Sequence, residues 1–227
     1  MKITWLGQAG LLFETDGKKI VIDPYLSNNV TTVNPKNYRR VPVNEEFLAL
    51  RPDVIICTHD HLDHVDKETL KYYFTSDAKM LVLAPSNAWD ILRQYKGDSN
   101  YVRFNPGTTW TEGKVTLRAV YAEHSDPTAI GVILTAEGRN YYITGDTLYS
   151  ERVFESLPDL PLKAVFLPIN GVGNNMNATD ASAFAARTGA TYAVPLHFGL
   201  FDNLDPHAFT HPRRVIPEFY QEICFED

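Results

Sequence analysis

The sequence of 227 residues lacks several features that would place it in a specialised class of protein. Its longest apolar runs, such as 80–85, fall far short of the roughly 20 residues that a membrane-spanning helix needs. No signal-peptide run or cleavage site is evident near Met1, so we expect neither secretion nor a membrane location. The sequence also has no block of Lys and Arg, and its formal net charge of −7 argues against a nucleic-acid partner.

Cysteine is equally scarce. Cys57 and Cys224 are far apart in the chain, and neither belongs to a Cys-x-x-Cys pair. This usage indicates no disulfide framework and offers no cluster of soft thiolate ligands for a metal ion. We therefore predict two reduced thiols and a cytoplasmic location.

The rest of the composition is that of a folded protein, with 44% hydrophobic and 22% charged residues. A chain of this length can bury an apolar core without disulfides or metal ions. The one change in texture is 27–44, which is rich in Asn, Pro, Thr and Arg and has no helical or strand periodicity. We interpret it as a long surface loop of the kind that often carries function, within a single predicted domain over residues 1–227.

Short apolar runs predict strands along most of the chain, with helices between several of them. The predicted strands are 3–6, 11–14, 19–22, 54–58, 80–84, 101–104, 115–122, 130–135, 140–144, 164–168 and 192–195. The predicted helices begin at the N-caps Asp66, Ser86 and Thr179, cover 149–157, and recur in part after Pro206. The helix that Thr179 begins is expected to end at Gly189. This order favours an α/β protein in which two sheets lie between helices.

A cluster of metal-ligating residue types directly follows the buried strand predicted at 54–58. His59, His61, Asp63 and His64 fall within six residues, and imidazole and carboxylate groups are good ligands for divalent transition metals. Four such side chains are too crowded for one tetrahedral site. They fit two adjacent metal ions, with His59 and His61 facing one and Asp63 and His64 the other. The alternative, a histidine cluster on a solvated loop, is disfavoured by the position after a core strand and by partners further along the chain.

Those partners are single residues that follow other predicted strands. His124, Asp146 and His197 are each among the first polar residues beyond an apolar strand. Any one of them alone would more often be a structural residue. Because sites in α/β sheets form beyond the carboxyl ends of strands, their shared position predicts that they meet the histidine cluster.

The pattern His59-x-His61-x-Asp63-His64, followed by His124, Asp146 and His197, resembles the metallo-β-lactamase superfamily of binuclear metal hydrolases. The segments 6–10 and 22–24 are similar to the opening strands of that superfamily. Three further segments, 167–171, 178–181 and 194–198, look like its branch of L-ascorbate-6-phosphate lactonases and related small bacterial metal-dependent hydrolases.

The resemblance implies a four-layer αββα sandwich with the site at one edge of the two sheets. By the same resemblance, His59, His61 and His124 hold one metal ion, Asp63, His64 and His197 hold the second, and Asp146 bridges the two. Redox di-iron members carry Glu at the position of His61, so the histidine favours hydrolysis. Two divalent ions are expected as cofactors, and Zn²⁺, Mn²⁺ and Fe²⁺ are all chemically compatible with these ligands.

We therefore predict a hydrolase that uses a metal-bridging hydroxide on a small anionic ester, in the first place a lactone or a sugar-phosphate lactone. Asp63 and Asp146 are the predicted catalytic residues, and Asp63 would orient the hydroxide and carry a proton to the leaving group. Asp23 either accepts a hydrogen bond from a ligand imidazole or is a turn residue before Pro24. A phosphodiesterase, a non-catalytic metal-binding sensor and a homo-oligomer remain alternatives.

Candidate substrate-binding residues carry a weaker signal. Asn170, Asn174 and Asn175 lie in a glycine-rich segment that either cradles an anion or sugar or forms a plain turn. Arg39 and Arg40, on the predicted loop, either meet a phosphate or carboxylate or are solvated surface. Other expectations are that Tyr149 lines the pocket and that His207 and His211 are structural or surface residues.

Overall fold

The computed structural model describes residues 1–75, 77–95 and 97–226, in which twelve strands form two six-stranded sheets. The first sheet has the strand order β1-β2-β3-β4-β5-β6. Its strands are β1 (Lys2–Gly7), β2 (Gly10–Thr15), β3 (Lys18–Ile22), β4 (Val54–Ile56), β5 (Leu81–Ala84) and β6 (Asn100–Arg103). β1 to β3 are antiparallel neighbours, and each pair from β3 to β6 is parallel.

The second sheet contains the later strands in the order β12-β11-β10-β9-β8-β7. They are β7 (Thr109–Glu112), β8 (Val115–Tyr121), β9 (Ile130–Ala136), β10 (Arg139–Ile143), β11 (Leu162–Pro168) and β12 (Tyr192–Leu196). β7 to β10 are antiparallel neighbours, whereas β10, β11 and β12 run parallel. The parallel strands of each sheet therefore bring their carboxyl ends to a shared edge.

Short helices connect the strands. They are α1 (Glu45–Leu48), α2 (Lys67–Tyr73), α3 (Ser86–Leu92), α4 (Glu151–Ser156) and α5 (Ala178–Thr188), with 3-10 turns at Asn29–Thr32, Arg93–Tyr95 and Pro206–Ala208. In the described part of the chain, no helix combines the length and the apolar character that crossing a bilayer requires. Both cysteines are unpaired there, Cys57 buried and Cys224 exposed.

The two sheets pack face to face between two helical layers. Phe13 of the first sheet contacts Tyr141 and Phe166 of the second, with ring centroids 6.4 and 6.0 Å apart. The outer face of the first sheet forms a separate apolar cluster with α2 and α3, while Phe184 of α5 and Val153 of α4 join the core of the second sheet. Burial of these apolar faces stabilises the stack, which is the expected αββα sandwich.

The strand predictions are confirmed except at one place. β7 was not expected, because its residues alternate between exposed and half-buried positions and its sequence carries little apolar signal. It pairs with β8 at the edge of the second sheet. The helical tail expected after Pro206 is wrong, since only Pro206–Ala208 forms a 3-10 turn before the prolines at 212 and 217 prevent a helix.

The caps confirm some of the predicted helix ends and show others to be wrong. Asp66 caps α2 by accepting hydrogen bonds from two backbone N–H groups, and Gly189 ends α5 in the left-handed region with φ of 66°. Ser86 is the first residue of α3 rather than its cap. The cap of α5 is Asn177, two residues before the expected Thr179, because the side chain of Asn177 accepts hydrogen bonds from the backbone N–H groups of Thr179 and Asp180.

This cap generates a stability prediction. We expect Asn177→Ala to lower the free energy of unfolding by about 0.5–2 kcal/mol, because two N–H groups at the start of α5 lose their acceptor. The matched control is Thr179→Ala, an exposed residue in the same turn, with an expected change below about 0.5 kcal/mol. Urea denaturation under identical metal conditions measures both, and equal losses would contradict the assignment of the cap.

Candidate metal centre

The seven predicted ligands come from four places on the two sheets. The loop after β4 carries His59, His61, Asp63 and His64, and the other three follow β8, β10 and β12. In the described residues, three groups have ligand atoms within 4.8 Å of one another: His59, His61 and His124; His59, His64 and Asp146; and Asp63, His64 and His197. The side chains implied for each metal ion therefore lie together, and Asp146 lies between the two sets.

Close approach of the chain at this edge depends on Gly145. It precedes Asp146 and has φ of 62°. A Cβ atom at this position would lie 2.7 Å from the backbone oxygen of Ile130 and 3.1 Å from the Cβ of Thr58. Only glycine combines the left-handed backbone with the absence of a side chain. It therefore lets the end of β10 reach the histidine-bearing loop.

Buried polar atoms at the centre lack hydrogen bonds within the described chain. They are Nε2 of His59, Nε2 of His64 and Oδ1 of Asp146. Unpaired polar atoms of this kind cost free energy in a protein interior, and native structures contain few of them. These three residues share one of the compact ligand groups, so a divalent cation fits the available donors.

The pKa shifts of the residues at the centre also favour a bound cation. Burial disfavours charge on His197, but Asp146 and Asp63 outweigh it and raise the pKa of the imidazole to about 10. The same balance raises the pKa of His64 well above its usual range, again through Asp146. Despite burial, these two imidazoles hold the pKa of both carboxyls below the ordinary range. Two buried carboxylates thus demand adjacent positive charge, which a divalent cation on the same atoms supplies.

His59 differs from those two imidazoles. Burial, followed by the neighbouring His64, lowers its pKa well below the usual range. Its ring is completely buried and lies 4.5 Å between centroids from the rings of His61 and His124. A neutral imidazole is the form that binds a metal ion.

Asp23 supports the histidine-bearing loop from beneath. Its carboxylate accepts hydrogen bonds from the backbone N–H of Thr58 at 2.7 Å and from the Thr58 hydroxyl at 2.6 Å. His64 Nδ1 lies 2.8 Å from Asp23 Oδ2, so donation there leaves Nε2 free toward the centre. The backbone of Asp23 is also left-handed, with φ of 45°, so this buried residue serves as both turn and imidazole partner.

Gln8 is a site residue that the sequence analysis missed. It lies in the turn between β1 and β2, is 2% exposed and has φ of 52°. Its amide nitrogen is 2.9 Å from Asp63 Oδ2 and 3.0 Å from His197 Nδ1, and its backbone oxygen accepts a hydrogen bond from the N–H of His197. A polar residue between Gly7 and Gly10 in a buried turn was the available signal. Like Asp23, it stores backbone strain next to the centre.

Asp126 was also missed, and it supports the same loop from the other side. Its buried carboxylate accepts hydrogen bonds from the backbone N–H of Asp60, the side-chain amide of Asn87, and the N–H and hydroxyl of Thr128. The loop is therefore held between Asp23 and Asp126. No periodicity or motif marks Asp126 in the sequence.

The glycine-rich segment reaches the centre, but mainly through its contacts with the predicted ligands. Asn170 Nδ2 lies 2.9 Å from His197 Nδ1, and Asn175 Nδ2 donates to Asp146 Oδ2 at 2.7 Å. The backbone oxygen of Asn174 lies 3.1 Å from Nδ1 of His124. Their role toward a substrate stays a prediction, whereas their contacts orient the metal-ligating side chains.

Arg39, Arg40 and Tyr149 are not among the residues that line the cleft over the centre, and their role in substrate binding stays a prediction. Buried Arg39 donates to the backbone oxygen of Tyr25 and to the Tyr220 hydroxyl. The guanidinium of Arg40 donates to the backbone oxygen of Phe201. Both guanidinium groups therefore make structural contacts with the backbone.

Tyr149 instead makes its contacts with side chains of α4 and α5. Its hydroxyl accepts a hydrogen bond from Arg187, and its ring packs against Phe154 and Phe184. His207 is exposed and pairs with Asp205 outside the clusters, and His211 lies in the C-terminal tail, where its Nδ1 accepts from the N–H of Arg213.

An open cleft of about 480 Å³ lies over the centre. A volume of this size suits a small organic molecule. The lining residues are Gln8, Val30, Asn34, Asn37, His61, Asp63, Asp146, Asn170, Val172, Gly173, Asn175, His197, Phe201 and Asp202. Three of them, Val30, Asn34 and Asn37, belong to the predicted 27–44 loop, which therefore borders the site as expected of a functional loop.

Comparison with known proteins connects this site to a family. A family model described as the beta-lactamase superfamily domain matches residues 18–198. A UPF0173 metal-dependent hydrolase of Bacillus pumilus is 31% identical over 92% of this chain and 91% of its own length.

Two solved structures share the fold. A metallo hydrolase of the archaeon Ignicoccus hospitalis has a TM-score of 0.74 at 20% identity, over 100% of this chain and 98% of its own. The metallo-beta-lactamase fold protein YhfI of Bacillus subtilis has a TM-score of 0.73 at 18% identity, over 97% of each chain. At these identities the two structures support the fold alone.

The contact between Asp23 and His64 generates a prediction about metal affinity. We expect Asp23→Asn to weaken metal binding about tenfold to a hundredfold, because the imidazole loses the carboxylate that orients it. Asp205→Asn is the matched control, since Asp205 Oδ1 lies 2.8 Å from Nδ1 of the exposed His207. Calorimetric titration of metal-free protein with Zn²⁺ or Mn²⁺ compares them. Unchanged affinity in Asp23→Asn would show that His64 needs no such partner.

Histidine deletion tests the ligand assignment directly. His124→Ala is expected to lose bound metal, because His124 belongs to a compact group with His59 and His61. His207→Ala is expected to retain it, because that side chain is exposed and outside the groups. Metal analysis of the purified variants gives the ratio of metal to protein. Equal loss in both variants would rule out the assignment of His124.

Proposed function

The chain belongs to the metallo-β-lactamase superfamily and is a metal-dependent hydrolase, and we propose that it cleaves a small ester with two metal ions, most naturally a lactone. The observation that carries the proposal is the set of orphaned imidazole and carboxylate atoms at the base of a cleft of small-molecule size. Acyl transfer to water is the chemistry that such a centre performs on a carbonyl substrate.

The residues divide between two metal positions. His59, His61 and His124 would hold one ion, and Asp63, His64 and His197 the other, with Asp146 shared between them. When bound, such ions lower the pKa of water and polarise a carbonyl oxygen. Zn²⁺, Mn²⁺ and Fe²⁺ all accept imidazole and carboxylate ligands.

Hydrolysis adds one water molecule across the acyl carbon–oxygen bond. The water oxygen bonds to the acyl carbon, the bond to the leaving oxygen breaks, and the leaving oxygen takes a proton that the water gives up. Asp63 lines the cleft, with 17% of its side chain exposed and Oδ2 held by the Gln8 amide. We assign Asp63 to orient the water and to pass its proton to the leaving oxygen.

The surrounding residues keep these groups in place. Gln8 contacts both Asp63 and His197, and Asn175 donates to the Asp146 oxygen that faces His197. Catalysis depends on such fixed geometry, since reacting groups must be held within hydrogen-bond reach of the substrate. The unpaired cysteines agree with the further proposal that the protein acts in the cytoplasm.

Substrate turnover with an Asp146 variant tests the proposed function. Protein loaded with Mn²⁺ or Zn²⁺ is expected to hydrolyse members of a lactone panel, and Asp146→Asn is expected to lower kcat by at least about a hundredfold. A generic phosphodiester is assayed in parallel, and pH titration of the released acid follows lactone opening. If Asp146→Asn kept its full metal content and full activity, the proposal that Asp146 is shared between the two metal positions would be wrong. Turnover of the phosphodiester alone would replace lactone cleavage with phosphodiester cleavage, and silence on both with two metals bound would favour a sensor.

A further inference from the structure

The charges around the cleft are unusual for a protein that was expected to bind an anionic substrate. In the described residues, no Lys or Arg side chain lines it. Three carboxylates do, namely Asp63, Asp146 and Asp202. Recognition of phosphate or carboxylate groups ordinarily relies on Arg, Lys or free N–H groups. An anionic substituent would therefore find no Lys or Arg along these walls, and the lining imidazoles of His61 and His197 belong to the ligand groups of the centre.

The nearby arginines do not supply that charge. Arg39 is buried, and its guanidinium donates to the backbone oxygens of Tyr25 and Val41 and to the Tyr220 hydroxyl. Arg40 donates to the backbone oxygen of Phe201 and lies over the Tyr38 ring, 4.9 Å from its centroid. Turning the buried Arg39 guanidinium into the cleft would break its hydrogen bonds to two backbone oxygens, and turning the exposed Arg40 would break its contact with Phe201.

Asp202 adds negative potential at the mouth. Its Oδ1 accepts hydrogen bonds from the backbone N–H groups of Gly199 at 2.9 Å and Leu204 at 3.0 Å, which hold the carboxylate in place along the wall of the cleft. Two divalent ions would offset the charges of Asp63 and Asp146, and any excess positive charge would lie at the metal centre. Asp202 belongs to none of the ligand groups, so a phosphate substituent next to it would meet a carboxylate with no Lys or Arg beside it.

Three donors of the glycine-rich segment are also engaged. Asn170 and Asn175 direct their Nδ2 atoms to His197 and Asp146, and the N–H of Gly171 donates to the backbone oxygen of Met176. Because these three donors face the centre or close the turn, they are not free to cradle an anion.

Apolar side chains occupy the outer walls instead. Val30 and Phe201 line one part of the cleft, and Val172 lines another while 65% exposed. The side chains of Asn34 and Asn37 supply neutral polar groups beside them. When a ligand covers exposed apolar groups of a cleft, the free energy falls because apolar surface is removed from water.

We propose that the substrate is an uncharged ester or lactone that carries a short apolar group, which lies against Val30, Val172 and Phe201. This inference rests on the proposed hydrolytic function and specifies its substrate class. It replaces the sugar-phosphate lactone that the sequence led us to expect. The apolar walls supply binding energy, and the carboxylate at the mouth disfavours anionic competitors.

A matched pair of lactones tests the proposal with the metal-loaded protein. One carries a short alkyl chain, and the other carries a phosphorylated hydroxymethyl group on the same ring. We expect kcat/KM to favour the alkyl lactone by at least about tenfold, because the phosphate meets an unpaired carboxylate. Calorimetry with the corresponding lactams, which resist hydrolysis, measures the same preference as affinity.

Two lysine variants localise the effect. Val172→Lys is expected to shift the preference toward the phosphorylated partner by roughly twofold to fivefold, the range for an exposed charge pair. Val33→Lys adds the same charge on a residue that is 75% exposed and does not line the cleft, so the preference should not change.

The outcomes separate the two proposals. Preference for the phosphorylated compounds in both assays would overturn the uncharged substrate while leaving hydrolysis intact. If neither lactone is turned over, lactone hydrolysis fails, and the lactam affinities still decide the charge preference. Equal shifts in the two lysine variants would place the selectivity outside the cleft and contradict its assignment to these walls.

Discussion

Two carboxylates, buried Asp146 and partly buried Asp63, are the constraint on which the centre depends. Asp63 and Asp146 lie among five imidazoles, and their negative charge raises the pKa of His64 and His197. Buried charges persist in a protein only where opposite charge or a metal ion balances them. The orphaned nitrogen and oxygen atoms show where that balance is incomplete within the chain. Cation binding is therefore tied to the electrostatics of the fold itself.

The sandwich accommodates these charged groups because the fold is stabilised mainly by other residues, which form its apolar core. The apolar core lies between the sheets and on their outer faces, whereas the clustered His and Asp side chains lie on loops at the carboxyl ends of the strands. The ligand-bearing loop is then held by Asp23 on one side and Asp126 on the other. Backbone strain collects in the same region, where Gln8, Asp23 and His197 have positive φ. Such strain persists because the surrounding hydrogen bonds overdetermine the conformation.

The net charge of the chain and the charges that line the cleft affect different properties of the protein. The chain as a whole carries a formal charge of −7, which bears on solubility and excludes few small substrates. Selectivity instead depends on which side chains face the cavity. Arg39 and Arg40 lie close in sequence to residues that line the cleft, but both guanidinium groups donate to backbone oxygens. Apart from the imidazoles of His61 and His197, the lining side chains are apolar, amide-bearing or acidic.

The sequence by itself determined the layered α/β fold and marked the seven His and Asp side chains that the structure brings together, because both depend on local patterns. Apolar runs specify buried strands, and a polar residue directly after such a strand must lie at the edge of its sheet. The roles of Gln8, Asp126 and the two arginines were decided only by tertiary structure. Gln8 contacts a histidine 189 positions away, and Arg39 reaches the Tyr220 hydroxyl 181 positions away. No local pattern encodes such pairings, because a hydrogen-bonding side chain finds its partner only after the sheets have packed.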